Sequence, residues 1–349
     1  MDFALDETQR EIAALAATVV HGAEPDHARV TQALAGETGY DETLWKAMAQ
    51  AGLLSLAVPI SQGGDGFGPL EVAAVLTEVG RTTLPVPALA TLALGVLPIV
   101  EFGTSAQHEL LLAGVATGAV LTAALRPVTA VVEDGVTRLY GQVSGVPYAA
   151  QAQYILVPCS AGIAVVTPTT DGVTLTRGST STGAPEYTLT FDFARTVEIL
   201  DGDTEGLNRY AVAGAAAVAD GVVAATLALT AEHLRTRNQF GKPLATFQAV
   251  AQQIGDVYVA ARTIHLAATS VNWRLATGRD AADDVEIAAY WLASELSPAV
   301  QVCHHLHGGL GVDITYPLHR YFSHAKDLGR LVGGAAARLD RIGARCSSN

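Results

Sequence analysis

Two stretches in the C-terminal third carry side chains whose types and spacing suit ligand binding. Arg235-Thr-Arg237-Asn-Gln-Phe240-Gly-Lys-Pro-Leu-Ala-Thr-Phe-Gln248 closes one helical pattern and opens another, and His305-Leu-His-Gly308-Gly309-Leu-Gly311 lies downstream. Arginine supplies a permanent charge and a planar fork of donors. Phenylalanine offers an aromatic face, and paired glycines let backbone N–H groups approach a partner with no Cβ in the way. An arbitrary arginine at a helix end is an ordinary solvated residue, so Arg237 gains weight only from the pattern around it.

Other reactive residue types are better explained by structure. His304, His305 and His307 are too closely spaced on a helix to converge on one metal ion, and no carboxylate stands beside them. Asp280, Asp283, Asp284 and Glu286 flank a helix start, where carboxylates favour the dipole. Cys159 and Cys303 lack a recognisable histidine and an electropositive setting, so neither reads as a nucleophile. The glycine-rich run at 61–69 lacks the Gly-Lys-Ser/Thr ending of a nucleotide loop and reads as a turn before a helix at 70–81. Arg209 and Asp220, on a core helix, are expected in ion pairs or interhelical bonds. Tyr210, Trp273 and Trp291 are expected to pack.

The elements that must position these residues follow from periodicity. Apolar positions recur at three and four residues over 3–20 and 44–56, and a proline-led apolar helix is expected within 84–100. Short β-rich segments follow at 120–124, 130–132, 154–157, 163–166 and 187–193, separated by Gly, Pro, Ser, Thr and Asp clusters. Helical patterning then returns at 207–237, 246–277, 281–305 and 318–331. The expected fold is mostly α with a central β domain: a helical domain at 1–115, a small β-barrel or sandwich at 116–205, and a four-helix domain at 206–349.

At 349 residues, 50% hydrophobic and 16% charged, the chain can bury two or three cores. A formal charge of −13 argues against a nucleic-acid partner, because phosphate neutralisation requires a basic surface. The run at 211–231 is apolar enough to raise the question of a membrane. Its alanines, glycines and valines, and its continuation into Glu232, His233 and Arg235, instead indicate a helix packed inside a bundle. Three widely spaced cysteines suggest no disulfide framework, and the acidic N-terminus is unlike a secretory signal, so a cytoplasmic location is expected.

The order and spacing of several segments resemble the acyl-CoA dehydrogenase family over nearly the whole chain. In the first domain these are Leu44-Trp-Lys-Ala-Met-Ala-Gln-Ala-Gly-Leu-Leu-Ser-Leu-Ala-Val-Pro59, Gly63-Gly64 and Glu78-Val-Gly-Arg81; in the last, Arg237-Asn-Gln-Phe240-Gly-Lys, Gln248, His305 to Gly311, and Tyr316-Pro-Leu-His-Arg320. The resemblance implies FAD as cofactor. It assigns Arg237 to the pyrophosphate, Phe240 to the adenine, and Gln248, Gly308 and Gly309 to further dinucleotide contacts, all made to a flavin held by a neighbouring subunit. His305 stands where the family usually has glutamine, and imidazole can still make one hydrogen bond.

That chemistry needs a positioned carboxylate to take the proton next to a thioester carbonyl. Relatives place it in one of two positions, which fall here on Val332, within Leu331-Val-Gly-Gly334, and on Asn208. Neither residue can act as the base. The segments that cover the flavin ring in relatives, of Thr-Glu-Pro-x-x-Gly-Ser-Asp and Trp-Ile-Thr type, correspond to Ala123-Ala-Leu-Arg-Pro127 and Gly145-Val-Pro-Tyr148. The resemblance therefore implies no catalytic residue in this chain. It implies a heterotetramer, with two copies each of two related subunits, in which a partner carries the glutamate. Such pairs act on steroid-derived acyl-CoA substrates in actinobacteria, with an electron-transfer flavoprotein or similar acceptor. The alternatives are a homomeric flavoenzyme with a relocated base and a scaffold of the same fold.

Overall fold

Helix α1 (Glu7–His21) starts at Asp6, whose side chain accepts from Gln9 N while the Gln9 side chain accepts from Asp6 N. It buries Ile12, Ala16 and Val20, the spacing that makes one apolar stripe. The computed structural model describes residues 6–23, 26–133 and 135–347, so Phe3, where the first helical pattern begins, lies outside the described residues. Helices α2 (His27–Ala35), α3 (Glu42–Gln50) and α4 (Pro69–Thr82) follow. The glycine-rich run is the expected turn: a 3-10 turn at Ile60–Gln62 leads to α4, where Pro69 opens the helix and Glu71 accepts from Gly68 N. The apolar segment after it is a buried π-helical stretch, Leu89–Val96, continuing into α5 (Leu97–Phe102). Pro98 falls at the junction where the π-helical stretch passes into α5. Helix α6 (Ser105–Leu111) completes the first helical group.

The β region holds β1 (Val120–Ala123), β2 (Thr129–Glu133), β3 (Val136–Pro147), β4 (Ala152–Cys159), β5 (Gly162–Val166), β6 (Val173–Arg177), β7 (Glu186–Arg195) and β8 (Glu198–Leu200). They form two four-stranded sheets, ordered β1-β4-β5-β8 and β2-β3-β7-β6. The first is buried and packs on the π-helical stretch, where Leu121 N donates to the Thr91 hydroxyl. In the second, β7 alternates between inside and outside over its first half. Strand β3 was hidden in the sequence because Gly141 and Gly145 read as turn residues. In the structure both take positive φ, 117° and 84°, at the two register shifts where β3 pairs β7, and so bend a continuous strand.

Past β8 come α7 (Thr204–Thr236), a hairpin of β9 (Asn238–Gln239) and β10 (Lys242–Pro243), α8 (Gln248–Ala276), α9 (Ala282–His307) and α10 (Leu318–Leu331). The four expected helices are followed by a fifth, α11 (Ala335–Ser347). The sequence hid it because its apolar positions are mostly alanines, and only Arg338 on it is buried.

Helix α7 is the one described helix long and apolar enough to cross a membrane, and 67% of its most apolar window is buried inside the protein. Glycines let neighbours approach it closely. A Cβ on Gly221 would collide with the Thr77 carbonyl of α4, and one on Gly80 with the Val218 carbonyl, so the two helices cross backbone to backbone. The Thr77 hydroxyl donates across this crossing to Ala217 O at 3.2 Å. Helix α7 thereby fixes two distant points: Asn208 near its start and Arg237 at its end.

Candidate functional site

Arg237 caps the C-terminus of α7, with its N–H bonded to His233 O at 2.9 Å and its carbonyl accepting from Leu244 N at 2.9 Å. Those bonds anchor the hairpin that follows. Its two-residue loop, Phe240-Gly241, has φ of 51° and 80°, a sharp turn for which Asn-Gly is the usual choice. Phenylalanine is strained there, and it is 92% exposed. Its ring meets Phe247 edge-on at 6.2 Å, and Lys242 Nζ lies 4.4 Å from the centre of the Phe247 ring. Gln248 is exposed in the first turn of α8, which has no side-chain cap. The Arg237 guanidinium is exposed and has no hydrogen bond or ion pair among the described residues.

The end of α9 completes this corner. His305 is exposed, and Gly308 adopts φ 59°, ψ −136°, a backbone that only glycine accepts readily. A Cβ at Gly308 or Gly309 would meet nothing within 4 Å, so the backbone here faces open space. The two helix ends are joined by stacked imidazoles: His233 of α7 and His307 of α9 lie 4.4 Å apart at 20°. His307 Nδ1 is 2.8 Å from Cys303 O and Nε2 is 3.1 Å from the Tyr316 hydroxyl. Because the carbonyl can only accept, Nδ1 carries the proton and Nε2 accepts from Tyr316. The fold thus brings Arg237, Phe240 and Gln248 to the same end of the bundle as His305, Gly308 and Gly309. A free guanidinium, an exposed aromatic on a strained turn, an uncapped helix start and open glycine backbone fit the phosphate and adenine parts of a dinucleotide.

At the opposite end of α7, Val332 and Asn208 meet through one arginine. Arg338 of α11 donates through Nε to Val332 O, through NH2 to Asn208 Oδ1 at 3.3 Å, and through NH1 to both oxygens of Glu286 at 3.1 and 3.2 Å. Arg338 is 5% and Glu286 3% exposed, and Val332 and Asn208 are buried. Glu286 also receives Arg341 Nε at 2.9 Å. Sequence reasoning placed Glu286 at a helix start and gave Arg338 no role, since their contact spans 52 residues.

Several weighed residues have structural partners. Arg209 pairs with Glu101 at 2.9 Å, and Asp220 with His265 at 3.0 Å. Asp283 binds Arg345, and Asp284 binds Arg274. Burial pushes the Cys303 thiol up to about 11. Among the described residues no three His, Cys, Asp or Glu side chains could share a metal ion.

A cavity of about 270 Å³ went unnoticed in the sequence. It lies between α2, the segment after α4, the loop before β7, and α10, with mostly apolar walls that include Val30, Leu84, Val86 and Leu331. His324 borders it, and enclosure by protein lowers its imidazole from 6.5 to about 4. Only the folded chain unites these four segments.

Comparison with known proteins decides the family. Residues 6–119 match the N-terminal domain of acyl-CoA dehydrogenases and residues 204–346 the C-terminal domain. The chain belongs to the acyl-CoA dehydrogenase family. This family member is 49% identical to acyl-CoA dehydrogenase FadE28 of Mycobacterium tuberculosis, over 87% of its own length and 92% of that protein's. It is 34% identical to FadE27 of the same organism, over 98% of each. Its fold superposes on a chain of the ChsE4-ChsE5 complex from M. tuberculosis with a TM-score of 0.93 at 32% identity, covering 100% of both chains. For a Tcur3481-Tcur3483 steroid acyl-CoA dehydrogenase variant the TM-score is 0.91 at 33% identity, covering 98% of this chain and 99% of that one. The butyryl-CoA dehydrogenase of Megasphaera elsdenii shares the fold at 21% identity and a TM-score of 0.86.

Proposed function

We propose that this chain is the non-catalytic subunit of a heteromeric, FAD-dependent acyl-CoA dehydrogenase. One observation carries the reading: both positions where relatives place the base hold residues that cannot take a proton, and both are bound to a buried Arg338. At the other end of α7, Arg237, Phe240, Gln248, His305, Gly308 and Gly309 stand exposed and free to meet a partner. In this reading Arg237 holds the pyrophosphate, Phe240 faces the adenine, and the Gly308-Gly309 backbone approaches a phosphate, all on a flavin whose ring lies in a related subunit. That subunit supplies the glutamate. FAD held there by these residues would supply the hydride acceptor for the carbon β to the thioester carbonyl.

The substrate is a CoA thioester. A steroid-derived acyl group is favoured by the named substrate class of the Tcur3481-Tcur3483 neighbour and by the two-component makeup of that protein and of ChsE4-ChsE5. An electron-transfer flavoprotein or similar carrier reoxidises the flavin, in the cytoplasm. Glu286, the one buried carboxylate at the base corner among the described residues, gives its oxygens to Arg338 and Arg341, which leaves it poorly placed as a relocated base.

Co-expression with a related subunit that carries the glutamate tests this. The expected complex holds about one flavin for every two chains, and Arg237→Ala in this chain strips that flavin while the complex still assembles. A self-assembled tetramer with a flavin in every chain, or α-deuterium exchange on an acyl-CoA by this chain alone, rules the reading out.

A further inference from the structure

The stacked imidazoles beneath the nucleotide grip do more than fill space. His233 lies one turn before Arg237 and bonds to it through the backbone, while His307 immediately precedes Gly308. Each ring is therefore one step from a residue of the grip, and the stack is a direct contact between the two ends. Phenyl rings stack as well as imidazoles and carry no proton, so this pair adds a sensitivity that packing does not require.

We propose that His233 and His307 are positioning residues for the flavin nucleotide: as a neutral pair they hold the Gly308-Gly309 backbone against the end of α7, and protonation of the pair releases it. This rests on the trans-binding reading above. Nε2 of His307 accepts the Tyr316 hydroxyl only while unprotonated, and two imidazolium rings 4.4 Å apart repel.

The charges facing the pair favour its neutral form, and the bond to Cys303 O opposes it. From α7 come Arg237 and the Thr230 hydroxyl, which bonds Cys303. From α9 come Cys303 and His304, Tyr316 comes from the segment before α10, and His319 of α10 faces His304. None of the charges that shift either imidazole is a carboxylate, and Glu232, next to His233 in sequence, is exposed and paired with Arg235. Burial lowers His233 first and the Arg237 charge second; burial also lowers His307, followed by the charge of His233, against a raising bond to Cys303 O. Since both values are depressed on folding, the neutral stack is intact above the ordinary imidazole value of 6.5 and is undermined as pH falls below it.

The test measures FAD affinity of the co-expressed complex at about pH 7.5 and about pH 5.5, a range in which histidine titrates. Wild type is expected to bind FAD about tenfold or more weaker at the lower pH. A His233→Phe/His307→Phe double variant, which keeps two stacked rings, should bind equally at both. Should it fail to fold, His233→Phe alone, at the less buried ring, should show a clearly reduced pH dependence. A flat wild-type profile, or variants with the wild-type profile, overturns the proposal. Arg237→Ala at the higher pH separates the two levels: if it strips flavin while the pH profiles coincide, only the histidine role falls, and if flavin is unaffected the trans-binding reading falls and takes this proposal with it.

Discussion

Arg338 has the most consequential side chain at the base corner, because one guanidinium satisfies a backbone carbonyl, an amide oxygen and a buried carboxylate. Removing one member of a buried charged pair leaves the other unpaired, which costs about 3–5 kcal/mol. Arg341 still reaches Glu286, so Arg338→Leu is expected at the lower end of that range, about 3 kcal/mol, in urea unfolding of the complex. A loss below about 1 kcal/mol would mean that Glu286 finds full compensation elsewhere. That Val332 and Asn208 carry no group able to take a proton at neutral pH was legible in the sequence. Their common partner was not, because Asn208 and Arg338 are 130 residues apart and nothing local marks the contact.

Among the elements, α7 sets the geometry of both ends of the site, and its crossing with α4 sets where α7 lies. Gly221 touches the Thr77 carbonyl with no room for a methyl group. Overpacking of this kind costs about 1–3 kcal/mol, and here a rigid helix backbone must move. Gly221→Ala is therefore expected to lower the thermal midpoint by several degrees, whereas the same change at Gly255, where a Cβ meets nothing within 4 Å, should not lower it. Equal effects at the two positions would refute the close-crossing argument. The long helices were readable from their length of apolar-rich pattern, α8 and α9 burying one side and α7 burying nearly its whole circumference from Gly206 to Val223. Strand β3 and helix α11 escaped, the first through glycines used as bulges and the second because Arg338, a charged residue, is its one buried position among the described residues, so no apolar core stripe marks it.

At the scale of the whole molecule, α8 presents Tyr258, Val259 and Leu266 to solvent, 56%, 63% and 49% exposed. Apolar side chains grouped on one long helix point to a partner, and in the proposed function that partner is the related subunit. Val259→Lys with Leu266→Lys should shift the co-expressed complex toward separate chains in analytical ultracentrifugation while each chain stays folded. An unchanged mass would place the subunit contact on another face. The sequence by itself determined the family and the order of helical and β regions, because motif order and periodicity are local properties of a chain. Only the tertiary structure decided that α7 and α9 end side by side with His233 stacked on His307, that Arg338 joins Val332 and Asn208, and that distant segments line a cavity. These features depend on contacts between residues far apart in sequence, and such contacts exist only once the helices have packed.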